Sequence, residues 1–176
     1  MRRLRSLLTS ALTLAALAPP PATLASEVAP PAVTFAAGYE ATFKRAYGAN
    51  EVPALRSQIM NSVSQSLKSA GNGCSLGLDV TIERAAPTHP TMQQQLNDPS
   101  LDPFHTVYRD GGAALTGHVL DPGGRVLATV KYKQFNDLLP PLAVAKDPWA
   151  DARIVIEMFS RRLVSACIKQ SASAGS

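Results

Sequence analysis

Val52, Leu55, Ile59, Val63 and Leu67 recur at spacings of three and four, while Ser57, Gln58, Ser62, Gln65 and Lys68 take the opposite side. That period marks an amphipathic helix with one buried stripe, predicted over 52–70. Asn50 and Pro53 stand at its start. Gly71 and Gly73 stop it, because glycine adopts the left-handed cap conformation without steric cost. The period then switches to two. Leu76, Leu78, Val80 and Ile82 alternate with Gly77, Asp79, Thr81 and Glu83, the pattern of a strand with one dry face.

Farther along, Ala113–Leu120 and Arg125–Lys133 flank Asp121-Pro122-Gly123-Gly124, a strong hairpin signal. Val126, Ala128, Val130 and Tyr132 are expected on one face of its second arm. A closing helix is predicted to start at Asp147-Pro148, with Asp as N-cap and Pro in the first turn. Trp149, Ala152, Ile156, Phe159, Leu163 and Ala166 form its apolar stripe, and the stretch 171–176 is expected to fray.

Two segments read less directly. Phe35, Tyr39, Phe43 and Tyr47 fall every fourth residue, which suits one face of a strand and also a helical stripe. Val33-Thr34-Phe35 favours extended chain by propensity, so a first strand is expected near 32–43, bulged at Gly38, with its aromatics in the core. Residues 85–103 are irregular and punctuated by Pro87, Pro90, Pro99 and Pro103. A short helix fits the middle, with Met92 and Leu96 one turn apart, and Phe104–Tyr108 reads as a short strand. Long loops inside compact domains are uncommon and often carry function.

The resulting order is strand, helix, strand, strand, hairpin, helix. One-sided helices and a one-sided sheet bury their apolar surfaces by packing on each other. The expected fold class is α+β: a two-layer sandwich, mostly antiparallel, with two amphipathic helices on one face.

Charge and composition change the picture at the amino end. Arg2, Arg3 and Arg5 precede an apolar run from Leu7 to Ala18, the make-up of a secretory leader expected to be cut after Ala25. Removing 1–25 takes three of the 17 basic residues and no acidic one, so 14 remain against 13 acidic residues, net +1. A near-neutral domain lacks the electrostatic footprint of a nucleic-acid binder. Residues 26–31 read as a disordered linker and 32–170 as a single domain, with no membrane span in the mature chain and a periplasmic or secreted location.

Both cysteines, Cys74 and Cys167, lie in the mature part. In an oxidising compartment such a pair most often bridges. The closed loop of roughly 90 residues gives a chain-entropy ceiling on the order of 4–5 kcal/mol.

Chemistry-bearing motifs are sparse. The three histidines, His89, His105 and His118, show no pair at the i, i+4 spacing that puts two metal ligands on one helical face. No nucleophile elbow or phosphate-binding glycine loop is present, so no catalytic residue, metal or cofactor is assigned. The candidate partner or ligand loop is 86–103, with His89, Met92, Gln94, Asp98, Asp102 and His105 as its contact residues.

The run Leu55-x3-Ile59-x3-Val63-x3-Leu67-x3-Gly71, then Leu78-Asp79-Val80-Thr81-Ile82, then Gly117-His118-Val119-Leu120-Asp121 with Gly124-Arg125-Val126-Leu127 and a closing helix, resembles small bacterial envelope modules. These include the amino-terminal domain of the Tol-Pal translocation protein and outer-membrane assembly lipoproteins. The resemblance covers about 50–168 as an order of elements. This chain departs from it by lacking a lipobox cysteine and by carrying the 85–103 insertion. It implies a non-catalytic role, binding an envelope protein or glycolipid.

The expected function is therefore a periplasmic or secreted interaction module acting through loop 86–103 and a free sheet edge. The alternative is a small-molecule binder or hydrolase whose pocket is roofed by that loop, with His89, Asp102 and His105 as polar contacts. A third possibility is a factor at the inner face of the outer membrane using Lys131, Lys133, Arg161 and Arg162.

Overall fold

The structure, a computed structural model, describes residues 31–71, 73–103, 105–108, 110–135 and 147–174. The leader, most of the linker and Pro140-Pro141 lie outside the described residues. The chain is α+β. Strand β1 (Ala32–Phe35) is followed by helices α1 (Tyr39–Tyr47) and α2 (Glu51–Ser69). Strand β2 (Gly77–Ala86), helix α3 (Met92–Asn97), strands β3 (Gly112–Leu120) and β4 (Val126–Phe135), and helix α4 (Ala150–Ala174) complete it.

The sheet runs β1-β2-β3-β4. β2, β3 and β4 form an antiparallel meander. β1 pairs parallel to β2, with Val33 opposite Val80 and Phe35 opposite Ile82. The sheet is therefore mixed: the α1–α2 crossover between β1 and β2 supplies the long connection that parallel pairing requires.

The first predicted strand is corrected. Only Ala32–Phe35 is extended, and Tyr39–Tyr47 is helical. Gly38, at φ 76°, turns the chain from strand to helix, a backbone state that glycine adopts freely. A four-residue spacing fits both periods, so Phe35 on the strand and Tyr39, Phe43 and Tyr47 on the helix converge from two elements. Phe43 is fully buried, 5.2 Å from the Phe35 ring centroid and 5.4 Å from that of Trp149. The row is core.

Other departures have local causes. Residues 105–108 form no strand, because Pro103 precedes them and His105 N–H and Thr106 N–H turn back to the Asp102 carbonyl. A register shift at the end of β3 places Val126 opposite Leu120 and Ala128 opposite Val119. Val126 is thereby exposed, while Ala128, Val130 and Tyr132 pack against the core. The carboxyl end, expected to fray, stays helical through Ala174. Ser171 Oγ accepts from Ser75 N–H at 3.3 Å and ties that end to the chain before β2.

The core joins Val52, Leu55, Ile59 and Val63 of α2 with Leu78, Val80 and Ile82 of β2 and Leu115 and Val119 of β3. From α4 it takes Ala152, Val155, Ile156, Phe159 and Leu163. Cys74 and Cys167 are joined by a disulfide, their Cα atoms 5.5 Å apart. No helix among the described residues is long and apolar enough to cross a membrane.

Candidate functional site

The loop between β2 and β3 is a built structure. Thr88 and Asp151 are both buried, and Thr88 Oγ1 donates to Asp151 Oδ2 at 2.8 Å. The Thr88 backbone is held twice more: its N–H donates to the Pro148 carbonyl at 2.6 Å, and its carbonyl accepts from Tyr108 N–H at 2.7 Å. Thr88 thus clasps the loop to the start of α4. Gly111 completes the clasp by lacking a side chain, since a Cβ there would lie 2.6 Å from Thr88 Oγ1 and 2.8 Å from Asp151 Oδ2.

From this anchor the chain enters α3, which carries its own start signal. Gln94 N–H donates to Thr91 Oγ1 at 3.4 Å, and Thr91 N–H donates to Gln94 Oε1 at 3.0 Å. This reciprocal capping box satisfies two of the donors that every helix start leaves free. Gln95 Nε2 donates to the Pro90 carbonyl at 3.0 Å, and Gln93 Nε2 donates to Asn97 Oδ1 at the same distance. At the far end, Asp98 Oδ1 accepts from Ser100 N–H and from the Ser100 hydroxyl at 3.0 and 2.6 Å. The hydroxyl bond, foremost, holds the Asp98 carboxyl below the ordinary aspartate range.

The candidate residues therefore separate. His89 Nδ1 lies 3.1 Å from the Thr106 carbonyl. His105 Nδ1 lies 2.5 Å from Asp102 Oδ2, an exposed pair that raises the imidazole above its usual value through the hydrogen bond and then the charge of Asp102. Gln94 caps α3 and Asp98 closes it. These polar groups serve the loop's own geometry: His89 turns to the Thr106 carbonyl and His105 to Asp102. Among the described residues no three His, Cys, Asp or Glu side chains are arranged to hold a metal ion.

Met92 differs. It is 75% exposed, and Leu96, one turn on, is 71% exposed; these are the two most exposed large hydrophobic residues described. Leu96 was missing from the expected contact set, although the i, i+4 spacing with Met92 signals a shared helix face. Val107, later in the same loop, is 51% exposed. On the side of α1, a Cβ at Gly48 would meet Gln93 Cβ at 3.1 Å, so Gln93 packs where Gly48 leaves room.

The remaining candidate cations lie elsewhere. Lys131 and Lys133 are exposed on β4, and Arg161 and Arg162 are exposed on α4. The Arg162 guanidinium sits 4.2 Å from the Tyr132 ring centroid. A cavity of about 570 Å³ lies between α2 and α4, lined by residues such as Ser66, Arg161 and Val164.

No family model matches this chain, and no curated protein or solved structure matches it either.

Proposed function

We propose that this chain is a non-catalytic interaction module of the cell envelope, exported to the periplasm or beyond. It binds another envelope protein through α3 and the surrounding loop. The carrying observation is the exposed pair Met92 and Leu96 on a helix whose polar groups are already satisfied. Such apolar side chains, presented on a pre-ordered element, have the character of binding anchors. The partner is a protein offering an apolar groove that accepts two side chains about 6 Å apart, the rise over four helical residues.

In this reading α2 and α4 cover one face of the sheet as a two-layer sandwich, and residues 32–170 are one domain. The shared core of α2, α4 and β2 supports that arrangement. A sheet edge adds a second contact. Among the described residues β4 pairs on one side only, and it is ten residues long against four for β1. Lys131 and Lys133 on β4 are of the kind that discourages indiscriminate strand addition, so the edge acts together with α3. The leader-like amino end and the disulfide support export. The polar side chains of the rival ligand pocket serve the loop itself, which favours the interaction reading.

The test is an in-cell crosslinking pull-down of the tagged protein beside a Met92→Ser/Leu96→Ser variant. Loss of one dominant envelope partner is expected, with an unchanged melting temperature. Equal recovery of that partner with the variant, or recovery of the wild type alone, refutes the proposal. Deleting 88–100 is a poorer test, because it removes the buried Thr88 and Thr91 and with them the clasp.

A further inference from the structure

Helices α2 and α4 both end near the disulfide, and a groove opens along their seam. Its cavity of about 570 Å³ falls within the range typical of small-molecule sites. Ile168 contributes apolar surface from α4 above the buried Val164, Ala70 contributes it from the end of α2, and Ser62 and Ser66 form the facing wall.

Along α4 the rim carries Arg161, Ser165 and Lys169, spaced i, i+4, i+8, so that one hydroxyl stands a turn from each of two cations. No carboxylate among the described residues pairs with Arg161 or Lys169. The same stripe begins with Glu157, one turn before Arg161, which disfavours an anion on that side and favours it near Ser165 and Lys169. Exposed cations alone hold a simple anion weakly, so a ligand that binds well must also use the apolar floor.

We infer that the α2–α4 seam binds a single-chain anionic amphiphile. Its acidic head sits over Ser165 between Arg161 and Lys169, and its alkyl chain lies against Ile168 and Ala70. A carboxylate and a phosphate monoester share the required head chemistry.

Titration calorimetry with dodecanoate, dodecyl phosphate, inorganic phosphate and dodecyltrimethylammonium, all below micelle formation, tests this directly. Saturable one-to-one binding is expected for at least one of the two acidic amphiphiles, and the stronger of them identifies the head. Inorganic phosphate and the cationic amphiphile are expected to show none. Arg161→Gln/Lys169→Gln is expected to weaken binding at least tenfold, and Ser165→Trp, which fills the groove from an exposed position, to abolish it. Amide shifts in the wild-type protein give a readout that needs no variant, and they are expected to cluster at Ser62, Ser66, Ser165 and Ile168. Unchanged affinity in the charge variant, equal binding of the cationic amphiphile, or shifts located elsewhere would each overturn the assignment.

Discussion

His105 and Asp102 form an exposed acid–imidazole pair in the loop, and their effect is local. The hydrogen bond that His105 Nδ1–H donates to Asp102 Oδ2 favours the imidazolium form, so His105 titrates above the ordinary histidine value. What the pair contributes to loop order is present below the unfolded histidine pKa and is lost as pH rises through the raised folded value. An NMR titration should place His105 above a free histidine, and Asp102→Asn should bring it back down; an unmoved His105 in that variant would remove Asp102 as the cause. The Thr88–Asp151 clasp is different in kind. Both partners are buried, their positions are 63 residues apart, and nothing in either local sequence announces the contact. Thr88 reads as one more polar residue in a proline-punctuated loop. Gly111 likewise reads as a turn glycine, although what excludes a side chain there is the buried pair beside it.

The elements with a single clear period, α2, β2, the β3–β4 hairpin and α4, were legible because burial of one stripe or one face leaves its spacing in the sequence. The aromatic row was legible as core but not as strand or helix, since its spacing serves both. The bulge near Leu120 was not legible, because a register shift leaves composition unchanged while moving Val126 to the opposite parity. Close approach between elements is similarly silent in sequence. A Cβ on Gly117 of β3 would lie 2.8 Å from Phe159 Cζ and 2.9 Å from Leu163 Cδ1, both on buried side chains of α4. Gly117→Ala should therefore destabilise the protein by about 1–3 kcal/mol through overpacking. Gly77→Ala, where the nearest atom is at 3.4 Å, serves as control and should be neutral or stabilising by at most about 1 kcal/mol. Urea unfolding of both variants checks this, and equal stabilities would mean that α4 does not press on β3 as described.

Across the whole molecule the disulfide connects the chain before β2 to the last turns of α4, 93 residues later. Its main effect is on the unfolded chain, whose conformational freedom it restricts by an amount worth up to about 4–5 kcal/mol. Reduction should lower the denaturant midpoint clearly without changing the native circular dichroism at low denaturant. Coincident midpoints for the oxidised and reduced protein would show that the bridge adds nothing. At this scale the molecule also presents two separate surfaces, the apolar pair on α3 and the cation-rimmed seam of α2 and α4, which the two proposals address independently.

The sequence by itself determined which segments are helix or strand wherever periodicity was unambiguous, the apolar stripes of α2, β2 and α4 that enter the core, and that Cys74 and Cys167 are the cysteines available for a bridge. Periodicity and burial are consequences of local chain geometry, so they are written locally. Tertiary structure alone decided that the loop is anchored through Thr88 and Asp151, that its polar candidates serve its own folding while Met92 and Leu96 stay exposed, and that Arg161 and Lys169 border a cavity with α2. Those properties depend on groups brought together from distant positions, and no spacing along a single chain encodes which side chains will meet.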